Sequence, residues 1–192
     1  SVHMKISWYL ILSFLQREFR FSTTEWTLVF LLLLTGMLFI FGMKTRGRYD
    51  TDRTVRLGTL SFYMAMVAGV TLLNRDPMPY HQWNFSLFWS HDAVREGSAG
   101  SLLQIVGNIV MFLPWGFLIP YIWKEMRSFS CVLLASLGFT LMIECVQFIT
   151  KRGLFELDDI VHNTIGGILG YGIFMIWIKW KDRKEIGESY VS

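Results

Sequence analysis

Residues 157–172 read LDDIVHNTIGGILGYG, and their first turns concentrate side chains able to move protons or hold charge. Asp158 and Asp159 are adjacent, His162 lies one helical turn beyond both, and Asn163 follows Asp159 by four positions. At about 3.6 residues per turn, Asp159 and Asn163 share one helix face. Glu144 and Gln147, three apart, share a face in the same way, as do Gln104 and Asn108, four apart. Carboxylates set among amides suit general acid–base work, hydrogen bonding to a polar ligand, or holding a hard cation through oxygen. A divalent cation would fall to Glu144, Asp158 or Asp159, but neither a complete metal motif nor an evident nucleophile is present.

The elements that must position these residues are membrane spans. Of 192 residues, 53% are hydrophobic and 17% charged, against about 25% charged in an ordinary soluble domain. That is too little charge to cover a soluble globule, so the composition specifies an integral membrane protein. A formal net charge of +3 is too small to indicate nucleic acid as a partner. A spanning helix needs about 20 mostly apolar residues, and five windows qualify: 26–43, 57–73, 102–123, 129–149 and 160–180. The expected fold is an all-α integral membrane bundle of five transmembrane helices. ISWYLILSFL at 6–15 is too short to span; with Lys5, Arg17 and Arg20 around it and Trp8 and Tyr9 within it, it reads as an N-terminal interfacial helix. The rival reading, a signal peptide, lacks a small-residue cleavage site, and Ser1-Val2-His3 ahead of Met4 reads as a cloning remnant.

Lys and Arg orient the chain. Alternate segments hold seven on one side and eleven on the other, the larger set including Lys44, Arg46, Arg48, Arg53 and Arg56. This places the N-terminus outside and the C-terminus in the cytoplasm, with Trp177 and Trp180 beside Lys179 and Lys181 as interfacial anchors. The 74–101 and 150–159 loops are separated by two spans and therefore share a side. All the polar residues named above gather toward that surface, the extracytoplasmic one in this orientation.

Such placement is costly. A carboxylate at the bilayer centre costs about 2.5–3.5 kcal/mol on insertion scales, less near the interface. Glu144, the deepest, needs a partner, and Arg152 or a bound cation is expected to supply it. The bland readings stand beside the functional ones. Asp158 and Asp159 open a helix, where carboxylates cap free N–H groups and favour the macrodipole. Asn108, Gln104 and Gln147 suit interhelical hydrogen bonds worth about 0.6 kcal/mol each. His162 is expected to face outward at the interface.

Gly166 and Gly170 form a small-xxx-small pair that lets another helix approach closely. Pro114 and Pro120 in LPWGFLIP should bend the third span, and a bent helix against a glycine face would leave a cavity opening sideways to lipid. Cys131 and Cys145, 14 positions apart, would be separated by about 21 Å on one helix, beyond the ~7 Å limit for a disulfide. They read as buried thiols.

NIVMFLPWGFLIP at 108–120, E-x-x-Q at 144–147 and RGLFELDDIVHNTIGGILG at 152–170, in that order, resemble the VanZ family over roughly residues 60–178. The resemblance implies a functional set of Asn108, Phe112, Pro114, Gly116, Glu144, Gln147, Arg152, Asp159, Asn163 and Gly166. TLLNR at 71–75 adds Arg75, and NFSLF at 84–88 keeps Asn84 and Phe88 of the family's Asn-Leu-x-Pro-Phe while lacking the proline. Glu156 stands where Asp is more usual. On this pattern, residues 57–180 are the family core and 26–56 an additional helix with a basic loop. Residues 1–25 and 181–192 are then an N-terminal segment and a cytoplasmic tail.

The resemblance implies a bacterial plasma-membrane protein contributing to resistance to glycopeptides, notably lipid-tailed teicoplanin, or to envelope maintenance. Two chemistries fit the residues. An enzyme acting on a phospholipid or polyprenyl-linked cell-wall lipid would use Glu144 or Asp159 as acid or base. Arg75 or Arg152 would then clamp a phosphate, and Asn108 and Asn163 would orient the substrate. A binding or lipid-moving protein would hold a lipid headgroup, or the lipoglycopeptide itself, in the polar cluster without chemistry. No cofactor beyond the divalent cation is implied.

Overall fold

The computed structural model describes residues 8–18 and 22–189. Its helices are α1 (Trp8–Glu18), α2 (Thr23–Thr45), α3 (Thr51–Ala68), α4 (Trp89–Arg95), α5 (Ala99–Ile122), α6 (Phe129–Thr150) and α7 (Leu157–Ser189). A wider π turn, Gly69–Leu73, prolongs α3. Five stretches are long and apolar enough to cross a membrane: α2, α3 with its π turn, α5, α6, and Leu157–Lys184 of α7. The fold is therefore an all-α, five-span bundle, the first, second and fifth spans several residues longer than their expected windows and the third and fourth close to theirs.

The starts follow from local chemistry. Ser22, Asp50, Ser98 and Ser128 each accept a backbone N–H from the first turn of α2, α3, α5 and α6, satisfying donors that a helix cannot satisfy itself. Ser22 and Glu25 complete a reciprocal capping box. In α1, Trp8, Tyr9 and Leu12 are exposed, as in a helix lying in the membrane interface. Lys5, Arg20 and the Ser1-Val2-His3 segment lie outside the described residues.

The tightest helix pair is α5 against α7. A Cβ added at Gly166, Gly170 or Gly116 would strike the carbonyl oxygen of Ile109, Leu113 or Gly167 respectively. The two backbones touch, as the small-xxx-small spacing requires. This corrects one expectation: the glycine face closes on α5 and leaves no cavity there. Both prolines lie inside a continuous α5. Tyr63 of α3 donates to the Met111 carbonyl, one turn before Pro114, at 3.0 Å, and Arg127 donates to the Pro120 carbonyl at 3.2 Å. A neighbouring side chain thus serves a carbonyl near each proline.

Val67, Phe112, Phe139 and Ile143 form the core between α3, α5 and α6, with Trp115 stacked on Phe139 at 4.1 Å. The cysteines are free, but Cys145 is exposed and Cys131 only half-buried. The expectation of buried thiols fails because both sit on outward faces of α6, where lipid replaces a protein core. On the polar side, β1 (Trp83–Asn84) pairs in parallel with β2 (Phe155–Glu156). That two-residue ladder ties the 74–98 connection to the loop feeding α7 and confirms that the two share one end of the bundle.

Candidate functional site

The site is built where α3 ends and α7 begins. Arg152 donates to the carbonyls of Leu72 and Leu73 at 3.3 Å and of Arg75 at 2.7 Å. Gln147 donates to the Thr71 carbonyl at 3.0 Å. Together they satisfy the C-terminal carbonyls of α3, which no intrahelical donor can reach. Arg75 is set by this clamp, with one guanidinium nitrogen beside Gly153, where an added Cβ would come within 3.0 Å of it.

β2 then runs directly into α7, and its Glu156 N–H donates to the Glu144 carboxylate at 2.8 Å. From α5, the Gln104 amide reaches both Asp159 at 3.3 Å and Glu156 at 3.4 Å. Asn108 turns toward the same Asp159 carboxyl without closing a hydrogen bond, so its Nδ2 is buried and unpartnered. Three carboxyls from three elements, Glu144, Glu156 and Asp159, thereby face one cation, Arg75. Among the described residues the ion pairs are Arg56 with Asp52 and Arg95 with Asp92; Arg75 closes onto none of the three.

A cavity of about 730 Å³ rises from this floor between α3 and α5. Arg75, Asn74, Gln104, Asn108, Glu156 and Asp159 line its polar part. Met66, Val67, Val70, Val110, Met111 and Pro114 line the apolar part, with Phe14 of α1 lying over Gly107 at the side. Glu156 lies outside the spans, and burial pushes its carboxyl up to about 7; Asp159 reinforces the shift and Arg75 opposes it.

The cavity brings together Asp159, Arg75, Gln104 and Asn108, with Glu144 immediately behind Glu156. Other candidates are placed elsewhere. Glu144 takes its hydrogen bond from the Glu156 backbone, so Arg152 is not its partner; the Arg152 guanidinium is occupied by the α3 carbonyls. Gln147 is likewise a helix-to-helix tie. Asn163 turns away from Asn108 and donates to Thr140 of α6 at 2.8 Å. Asn84 accepts the Ser86 N–H at 3.0 Å within its own turn. Asp158 faces away from the cavity and accepts from the Phe88 and Ser90 N–H groups and the Ser90 hydroxyl at 2.5, 3.0 and 2.6 Å. It caps α4 rather than its own helix. The proposed cation set of Glu144, Asp158 and Asp159 is thereby split, and no group of three metal-ligating side chains occurs among the described residues. His162 does not face outward. It is buried, 5.1 Å from the His91 ring, because α4 folds over that face of α7.

Sequence reasoning missed Glu156, Tyr63, Asn74 and Phe14 as neighbours of the site. Glu156 was the readable one. It precedes Asp159 by three positions, a spacing that puts both on one side once the chain enters a helix.

Fold and site together define a multi-pass α-helical membrane protein with a charged floor at one end of its bundle. The VanZ/LLP1 family model matches residues 26–178, and the chain belongs to that family. The match takes in α2 as well as the later spans. Over 92 residues the chain is 30% identical to "Protein VanZ" of Enterococcus faecium, covering 46% of this chain and 55% of that protein. The chain thus spans about half the length of the curated relative it matches. No solved structure matches it.

Proposed function

We propose that the cavity between α3 and α5 holds an envelope lipid, with its headgroup on the Arg75–Glu156–Asp159 floor and its chain along the apolar wall. Occupancy of this site contributes to teicoplanin resistance of the kind associated with the family. One observation carries the reading: the cavity has charged side chains at one end and mostly apolar ones along the rest, where the hydroxyls of Tyr63 and Thr71 are taken by the Met111 and Val67 carbonyls, the shape and polarity of an amphiphile. The Lys and Arg distribution supports an extracytoplasmic position for its charged end.

The test is teicoplanin susceptibility of bacteria expressing wild type, Asp159→Asn or Gly107→Phe at matched membrane levels. Gly107 lines the cavity, so phenylalanine there fills it. Both variants should lose the protection that wild type confers. Full protection from both would reject the reading.

A second reading, lipid chemistry, draws on Glu156. A carboxyl at about 7 can donate and accept a proton near neutrality. Comparative mass spectrometry of envelope lipids decides between the two. A species altered by wild type but not by Glu156→Gln would make the protein an enzyme.

A further inference from the structure

The floor of the cavity carries opposite charges that do not satisfy each other. Arg75 gives its carbonyl to Arg152, but among the described residues its guanidinium donates no hydrogen bond and closes no ion pair. It stands at the cavity wall as an available cation. Across from it, Glu156 and Asp159 are 8% and 9% exposed. Among the described residues each takes one side-chain hydrogen bond, from the same Gln104 amide, at 3.4 and 3.3 Å. Those contacts are long for N–H···O bonds, and a carboxylate has about four acceptor sites. Both groups therefore have acceptor capacity left facing the cavity.

We infer that the bound headgroup is zwitterionic, with a phosphate taken by Arg75 and a primary ammonium taken by Glu156 and Asp159. This rests on the lipid-binding reading above. An anionic headgroup alone would meet one cation and be repelled by two carboxylates. A cationic headgroup alone would leave Arg75 uncompensated. The Gln104 amide already marks a point between the two carboxylates where an N–H donor sits, and an ammonium with three N–H bonds can serve the remaining oxygens. A quaternary ammonium has no N–H to give; it is held instead by aromatic cages, whereas among the described residues the aromatic side chains lining this cavity are Phe14 and Tyr63. The ligand class is thus an amine-bearing phospholipid, of which phosphatidylethanolamine is the simplest probe.

The experiment is native mass spectrometry of the purified full chain in detergent. Phosphatidylethanolamine, phosphatidylcholine and phosphatidylglycerol of identical acyl chains are offered in competition to wild type, Glu156→Gln and Gly107→Phe. Each variant is used only if it elutes as a single species with wild-type helicity; Asp159→Asn replaces Glu156→Gln if that fails. Wild type should retain phosphatidylethanolamine at least about tenfold over either competitor, as expected for added charge-assisted hydrogen bonds. Glu156→Gln should narrow its lead over phosphatidylcholine. Equal retention of phosphatidylglycerol or phosphatidylcholine, abolished by Gly107→Phe, overturns the ammonium assignment and leaves lipid binding standing. Retention indifferent to Gly107→Phe, or none at all, overturns lipid binding itself.

Discussion

Glu144 and Glu156, twelve positions apart, are joined side chain to backbone: the Glu156 N–H donates to the Glu144 carboxylate at 2.8 Å. The deepest carboxyl of α6 thus fixes the segment from which α7 starts, and through it the positions of Glu156 and Asp159. Glu144 is 1% exposed and is not among the residues that line the cavity; its carboxylate holds the segment that carries Glu156 and Asp159.

Glu144→Ala should destabilise the folded protein by about 1–3 kcal/mol, the cost of leaving a buried N–H without an acceptor. Glu144→Gln keeps an amide oxygen for that N–H and should lose much less. Thermal unfolding of the two variants in the same detergent checks the difference. Equal losses would mean that the charge, and not the acceptor, matters.

Gly170→Leu should abolish the folded form, because Gly170 packs directly on the Leu113 carbonyl of α5. Gly172→Ala, two positions on, has no neighbour within 4 Å of the added carbon and should behave as wild type. Yield of monodisperse protein by size-exclusion chromatography separates the two outcomes.

Arg152→Gln should loosen the end of α3 without acting on the ligand directly. Three carbonyls lose a charged donor, so amide hydrogen exchange at residues 70–76 should quicken while exchange in the middle of α6 stays slow. Unchanged exchange at 70–76 would contradict the clamp.

Glu156 makes stability depend on pH. Its carboxyl is raised from 4.5 to about 7 by burial, with Asp159, Asp158 and Arg75 as its charged neighbours and Glu144 coupled to it. The folded state binds more protons than the unfolded between those values, so stability falls as pH rises through that window. The contribution is complete below about 4.5 and gone above about 7. Melting temperature measured from pH 4 to 8 should decline less in Glu156→Gln than in wild type.

The spans were legible because each is a run of about 20 apolar residues, a signal that needs no tertiary information. The shared surface of the polar residues was legible too, since it follows from counting spans between loops. What each polar side chain does was not. Arg152 and Gln147 serve carbonyls left open where α3 and its π turn end, a pairing of distant segments that leaves no mark in the hydrophobic pattern. Asp158 and Asp159 are neighbours in sequence, yet helix geometry turns them about 100° apart, one toward α4 and the other toward the cavity. The cavity itself was expected at the glycine face, but glycine lets helices close. The space is held open instead where Tyr63 and Met66 of α3 face Gly107 and Asn108 of α5.

The central claim is that a lipid occupies this space, and photocrosslinking tests it most directly. A benzophenone side chain at Met66, on the cavity wall, is compared with one at Leu134, which is 67% exposed on the outside of α6. Position 134 should label lipids in proportion to their abundance in the membrane. Position 66 should yield an adduct enriched in one lipid class, lost when Gly107→Phe is added. Adducts at the two positions with the same lipid composition, or an adduct at 66 that survives Gly107→Phe, would contradict the account.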